Sequence, residues 1–401
     1  MSIYKRLGVR PIINVAGPVT NYGGALMGKE AREAMNEAAR EMVRLDELQA
    51  AANKVIAQRT HAEAGMVTAG ASAALTLGTA ACIVGLDEAK MDRLPDTTDM
   101  LNEVIMPWHQ MTSYDHAFRL AGAKLIGVGI LGGNSHPDEA YIINKRLIEE
   151  AITEKTVAIA YTYTPLYPHH NNHPPLEEVI EIGKRCNIPV IVDAADQVPP
   201  IENLHKFIDI GADLVCFSGG KGILGSQASG ILCGRRDLIA SAAIQMLFIN
   251  GRSFEEWNPS ASLTHKEKLG RGMKVTKEAI VGLLVALQDL TEEKFAKRAQ
   301  HLRQLLGGIA MRLDGIAGVQ TRITTDEMGS RSTPQLEVII DENVVRKSAA
   351  EISQRLEDGE PRIYERGKML HKEEMVIIHS INLDEETARV VGERLYTSIT
   401  G

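Results

Sequence analysis

The sequence predicts an α/β protein: a mainly parallel sheet with helices on both faces, followed by a smaller C-terminal α/β domain. Three observations carry this. Short apolar runs alternate with helical stretches along most of the chain, the pattern of successive strand–helix–strand units. The runs are continuously apolar rather than alternating, as strands covered on both faces are. After about residue 290 the texture changes to charged amphipathic helices flanking short strands. With 401 residues the chain is too long for one core. The boundaries expected are 1–45 for an N-terminal arm and helix, 46–290 for a large domain and 291–401 for a small one.

Taken in order, residues 28–60 are rich in Ala, Glu, Arg and Met at helical spacing and read as one or two helices. Residues 65–70, GMVTAG, with the small-residue run Ala71-Ser72-Ala73-Ala74-Leu75, read as a turn opening into a helix. Val104 to Met106 is a strand, and His109 to His116 the loop after it. Leu120 to Val128 holds a helix end, a glycine stop and a strand. Val157 to Tyr163 is a strand, Leu176 to Cys186 a helix, and Ile188 to Val192 a strand ending at Asp193. Leu214 to Phe217 and Gly230 to Cys233 are strands. Beyond residue 290, helices over Glu292–Met311 and Val345–Leu356 flank strands at Gln335–Ile340 and Met375–Ser380.

Composition narrows the function. The formal net charge is −8, whereas nucleic-acid binders usually carry a basic surface. No apolar stretch reaches the roughly 18–20 residues needed to cross a bilayer. The N-terminus carries no apolar core with a small-residue cleavage site, so the expected location is the cytoplasm. Of the four cysteines, Cys82, Cys186, Cys216 and Cys233, none forms a C-x-x-C pair. Cys82 and Cys216 lie in apolar runs and read as reduced, buried thiols. His169, His170 and His173 stand together in a proline-marked loop, without H-E-x-x-H spacing or a nearby cysteine, so no metal is expected there.

In sheets of this kind ligands bind beyond the carboxyl ends of the strands. Lys221, between glycines in FSGGKGILG, follows a strand. An amine attacks a carbonyl only when partly deprotonated, and flanking glycines let the backbone approach a flat ligand. Asp193 ends VIVD, where a carboxylate can hold a pyridine nitrogen protonated and make the ring an electron sink. The small-residue helix start at Gly70-Ala71-Ser72 offers bare N–H groups to a phosphate. An aldehyde for the lysine, a ring nitrogen for the aspartate and a phosphate for the helix end describe pyridoxal 5'-phosphate. Each feature alone has an ordinary reading: a flexible turn for Ser-Gly-Gly-Lys, a helix cap for Asp193, close helix packing for TAGASAA. Their order along the chain is what joins them.

The stretches IINVAGPVTNYGGALMGKEA, TAGASAALTLGTAACIVG, SYDHAFRLAGAKL and DLVCFSGGKGILGSQASGILCGRRDLI resemble fold type I pyridoxal-phosphate enzymes. More narrowly, they resemble the selenocysteine-synthase-like group that includes D-glucosaminate-6-phosphate ammonia lyase. The resemblance implies that Lys221 is the Schiff-base lysine and Asp193 the pyridine partner. It implies that Ser218 and the amides around Ala71 and Ser72 hold phosphate, that His109 stacks on the ring, and that Gln197 reaches the ring hydroxyl. His116, in the same loop, competes for the stacking role. Related desulfurases carry histidine before the lysine, where Gly220 stands here. Their glutamine lies three residues after the aspartate, at the place of Asp196, with Gln197 one later. Arg362 is a candidate for a substrate carboxylate, by bidentate pairing, with a solvated loop arginine the alternative. Lys274 and Lys277 are candidates for a phosphate on cofactor or substrate, with a solvated helix start the alternative.

The cofactor sets the class of chemistry and leaves the outcome open. Desulfurase chemistry uses a mobile cysteine well after the lysine, and none follows Cys233. Selenocysteine synthases carry an N-terminal tRNA-recognition region, whereas this acidic chain starts at the IINVAG segment. The expectation is therefore a lyase: α,β-elimination and deamination of a small 2-amino-3-hydroxy acid of the D-glucosaminate 6-phosphate kind, with Lys221 as general base. A racemase or epimerase, an aminotransferase and a non-catalytic cofactor-binding protein are the alternatives. Fold type I sites are usually completed by a second subunit, so a homodimer or larger assembly is expected.

Overall fold

In a computed structural model the apolar runs of the large unit become a seven-stranded sheet. The structure describes residues 2–131, 141–142, 144–163, 174–246, 267–325, 332–370, 372 and 374–401. In chain order the strands are β1 (Ala64–Thr68), β2 (Glu103–Pro107), β3 (Lys124–Val128), β4 (Thr156–Thr162), β5 (Val190–Asp193), β6 (Leu214–Ser218) and β7 (Gly230–Gly234). They lie side by side in the order β1-β7-β6-β5-β4-β2-β3. Every pairing is parallel except those of β7, which runs antiparallel to both β1 and β6. Successive residues of β1, β2 and β7 are all buried, so both faces are covered at these strands, whereas edge strand β3 is exposed at Lys124 and half-buried over residues 125–127.

Helix Ala71–Val84 is buried over most of its surface. It approaches the sheet closely at Gly78, where a Cβ would lie 3.2 Å from Leu214 and 3.3 Å from Leu232. Residues 28–60 form two helices, Lys29–Ala38 and Leu45–Thr60. The helix over Leu176–Cys186 falls where its periodicity puts it.

One segment differs in kind. Ala64–Thr68, within the stretch read as a turn, is the edge strand β1. A glycine inside a strand weakens the β signal. Here Gly65 is required by packing, because its Cβ would lie 2.2 Å from Ile56 of helix Leu45–Thr60.

The chain clusters into two units, Met27–Asp289 and, together, Met1–Leu26 with Leu290–Gly401. The expected divisions stood at 45/46 and 290/291. Residues 1–26 cluster with the C-terminal unit because strand Ile12–Val15 pairs in parallel with Arg362–Glu365, Ile12 opposite Arg362. No local pattern announces a pairing between segments so distant in sequence. In this small unit a second, antiparallel sheet has the order Val319–Thr325, Pro334–Ile340, Met375–His379. Its core is aliphatic, with Leu302, Leu306, Leu336, Ile352, Val376 and Leu395 at its centre. Among the described residues no helix is long and apolar enough to cross a membrane.

Candidate active site

The carboxyl ends of the parallel strands share one edge of the sheet, and the ladder register sets their exits side by side. Thr162 is opposite Asp193, and Asp193 opposite Cys216. Gly230, the first residue of β7, is opposite Ser218 on one side and Thr68 on the other. The loops beyond are tied by backbone bonds: Tyr163 N to Asp193 O at 2.9 Å, Ala194 N to Cys216 O at 3.0 Å, and Ser218 N to Ala195 O at 3.2 Å.

Asp193 closes β5. Its Oδ1 accepts from the Ala195 amide at 3.0 Å and from the Cys216 thiol at 3.5 Å. Its Oδ2 has no hydrogen-bond donor among the described residues. Burial raises the carboxyl above the usual aspartate range, Asp196 adds to the rise, and the Ala195 amide and the Lys221 charge pull it back in part. The same burial raises the Cys216 thiol and pushes Cys233 up to about 12. All four cysteines are free; Cys216 and Cys233 are buried, Cys186 is exposed, and Cys82 is half-buried rather than the buried thiol its apolar run predicted.

Lys221 follows β6, with its Nζ 3.8 Å from Asp196 Oδ2; the two side chains are 28% and 26% exposed. The glycines about it have steric causes. A Cβ would lie 2.2 Å from Ser229 Oγ at Gly219, 2.3 Å from Gln227 Cα at Gly220 and 1.9 Å from the Val198 carbonyl at Gly222. The lysine loop is thus pressed against two neighbouring segments. It is closed on itself by Leu224 N to Lys221 O at 3.0 Å and Gly225 N to Gly219 O at 2.8 Å.

Gln197 is 3% exposed, and its Oε1 is buried with no hydrogen-bond partner. Its backbone is held by Gln197 N to Ala194 O at 3.1 Å and by Asn203 Nδ2, which donates to its carbonyl at 2.6 Å. His109 occupies a single turn, Trp108–Gln110, directly after β2. Trp108 fixes one side of this turn by lying over Gly127 of β3, where a Cβ would meet the indole at 2.5 Å. Gln110 fixes the other, accepting from Thr162 N at 2.8 Å. His109 is half-buried there, whereas His116 is the exposed first residue of helix His116–Leu120.

Helix Ala71–Val84 starts from Gly70 at φ 95°, a left-handed value natural to glycine, and no side chain among the described residues caps it. A Cβ on Gly70 would meet nothing within 4 Å. A Cβ on Gly230 would lie 2.5 Å from the Gly70 carbonyl carbon. The Gly70–Ala71 turn and Ser218 therefore both adjoin Gly230. Ser72 is exposed at the helix mouth.

Lys277 gives its ammonium to the Ala38 carbonyl and the Glu278 carboxylate. Lys274 is exposed after the turn Leu269–Met273. Arg362 lies in the small unit and donates to the Arg10 carbonyl at 3.4 Å. His169, His170 and His173 fall outside the described residues. Two contributors escaped the sequence reading: Cys216 as donor to Asp193 and Gln110 as anchor of the His109 turn. Cys216 declares itself only through the ladder that sets it opposite Asp193.

The residues fit the cofactor by the structure's own features. A desolvated carboxylate with an open oxygen suits a cationic ring N–H. An unpartnered, buried Gln197 oxygen suits a hydroxyl, and an uncapped helix start suits a phosphate. A sheet of this order, with the lysine beyond β6 and the aspartate closing β5, defines a fold type I pyridoxal-phosphate enzyme. The chain belongs to the aminotransferase class-V family, whose model matches residues 135–345. It is 31% identical, over 92% of its length and 85% of the relative's, to a 5'-C-glycyluridine monooxygenase-decarboxylase of a Streptomyces species. It is 28% identical, over 92% of its length and 91% of the relative's, to the D-glucosaminate-6-phosphate ammonia lyase of Salmonella typhimurium. A solved structure of a D-glucosaminate-6-phosphate ammonia-lyase aligns over 100% of this chain and 98% of that one, with a TM-score of 0.81 at 26% identity.

Proposed function

We propose that this protein is a pyridoxal-phosphate lyase that converts a small 2-amino-3-hydroxy acid, of the D-glucosaminate 6-phosphate kind, to a 2-keto acid and ammonia. The carrying observation is the Lys221–Asp196 pair, 3.8 Å apart beside Asp193, within a chain that aligns end to end with such a lyase. When bound, the cofactor supplies an electron sink for the pair left at Cα. Asp193 Oδ2 holds the ring nitrogen protonated. Lys221 Nζ takes the Cα proton and returns a proton to the departing Cβ hydroxyl. Asp196 holds the Lys221 ammonium in place between the two transfers. Water leaves from Cα–Cβ, the resulting enamine becomes an imine, and its hydrolysis consumes one water and frees ammonia. His109 would cover the ring, Gln197 would meet its hydroxyl, and Ser218 with the amides of Ala71 and Ser72 would hold the phosphate.

A second reading follows from the 31% identity to a monooxygenase-decarboxylase: oxidative loss of the carboxylate with uptake of dioxygen. One assay separates the two. Ammonia and 2-keto acid released from D-glucosaminate 6-phosphate without oxygen uptake support the lyase; oxygen consumption with carbon dioxide release selects the other. Hydroxyamino acids left untouched under both conditions would remove the lyase reading.

We also read the chain as a cytoplasmic homo-oligomer, dimeric or larger. Met42, 93% exposed, and the exposed Val43 join helices Lys29–Ala38 and Leu45–Thr60, apolar surface suited to a second copy.

A further inference from the structure

We propose that His61, His205 and Asp209 form a binding site for a divalent transition metal of the zinc type, at the sheet edge opposite the candidate active site. His61 Nδ1 lies 2.9 Å from Asp209 Oδ1, and His205 Nδ1 lies 2.7 Å from Asp209 Oδ2. The two imidazoles stack, with centroids 4.3 Å apart and planes at 24°. One ligand atom from each of the three residues falls within 4.8 Å of the others.

Two separate elements bring these groups together. His205 and Asp209 stand one turn apart on helix Asn203–Asp209 and so share a face. His61 is the C-cap of helix Leu45–Thr60 at φ 57°, a left-handed conformation more usual for glycine or asparagine. His61 comes just before β1 begins, and Asp209 just before β6 begins. Lys221, Asp193 and Ser218 belong to the other ends of the strands.

Without an ion the two imidazoles hold the Asp209 carboxylate, and two features of that arrangement still oppose it. Asp209 is the last residue of its helix, where the dipole opposes a carboxylate. Two stacked imidazoles repel when both are charged. A neutral imidazole can carry its proton on the solvent-facing Nε2 and leave Nδ1 as a ligand. An ion bound by two Nδ1 atoms and one carboxylate oxygen answers both faults. Zinc sits at about 2.0–2.2 Å from such atoms, which sets tetrahedral ligands about 3.4 Å apart, so the two imidazole–carboxylate pairs at 2.9 and 2.7 Å open slightly and the widest pair closes from within 4.8 Å. Imidazole with carboxylate suits zinc, cobalt or nickel rather than magnesium or calcium. His61 and Asp209 are exposed and His205 half-buried, which leaves room for water to complete the shell. Such an ion would clamp the end of helix Leu45–Thr60 to helix Asn203–Asp209. Its presence is independent of the reaction assigned to Lys221.

The test uses the holoenzyme, treated with a chelator and then titrated with zinc against a chromophoric competitor. One equivalent is expected to bind and to raise the thermal midpoint. His61→Ala, His205→Ala and Asp209→Asn should each weaken binding more than about tenfold and abolish the midpoint shift. His169→Ala/His170→Ala should change neither. X-ray absorption of the zinc-loaded wild type, which needs no variant, should show two imidazole ligands. Absence of stoichiometric binding, binding unchanged in the three variants, or binding lost only in the His169/His170 variant would each overturn the proposal.

Discussion

Gly222→Ala tests whether the lysine loop is held by backbone contact. The added Cβ would lie 1.9 Å from the Val198 carbonyl oxygen and 2.6 Å from Pro199 Cδ. Ordinary contact begins near 3.4 Å, so the loop or its neighbour must shift by about 1.5 Å. Neither side is the tip of a flexible side chain. Overpacking of this kind costs about 1–3 kcal/mol of stability. The residue moved is adjacent to Lys221, and a misplacement of about 1 Å at a reacting group costs on the order of 100-fold in rate. Steady-state ammonia release and thermal unfolding should therefore both fall in Gly222→Ala. Neither should fall in Gly272→Ala of the same unit, where a Cβ meets nothing within 4 Å. A Gly222→Ala enzyme with wild-type rate and midpoint would show that the contact does not position the lysine.

Further outcomes are expected. Lys221→Ala should fold, bind no cofactor covalently and lose the borohydride-sensitive visible band along with ammonia release; a retained band would displace Lys221 from its role. Asp193 has a folded-state pKa raised by burial. In the cofactor-free protein its contribution to stability is therefore complete below the ordinary carboxylate range and is lost as pH rises through the raised value. Asp193→Asn should remove that slope in urea titrations of the apoprotein and also weaken cofactor retention. Gly307 lies inside helix Glu292–Leu313 with nothing within 4 Å of a Cβ, so Gly307→Ala should stabilise the protein by about 0.5–1 kcal/mol, read from denaturant midpoints. Met42→Glu should shift light scattering toward the monomer if that surface meets a second copy.

Local pattern alone determined much of this protein. Continuous apolar runs gave the buried strands, with helix Leu176–Cys186 and the exits at Asp193 and Lys221 at their ends, because backbone periodicity and strand termini are written in neighbouring residues. Only the tertiary structure decided what lies opposite what. The ladder set Cys216 against Asp193, and the pairing of Ile12–Val15 with Arg362–Glu365 placed the first residues in the small unit. Packing against Ile56 made a strand of a segment whose glycine suggested a turn. The meeting of His61 with Asp209 depends equally on the folded chain, since 148 residues separate them. Such contacts join side chains remote in sequence, and their partners are fixed by sheet register and close packing, quantities that no window of residues contains.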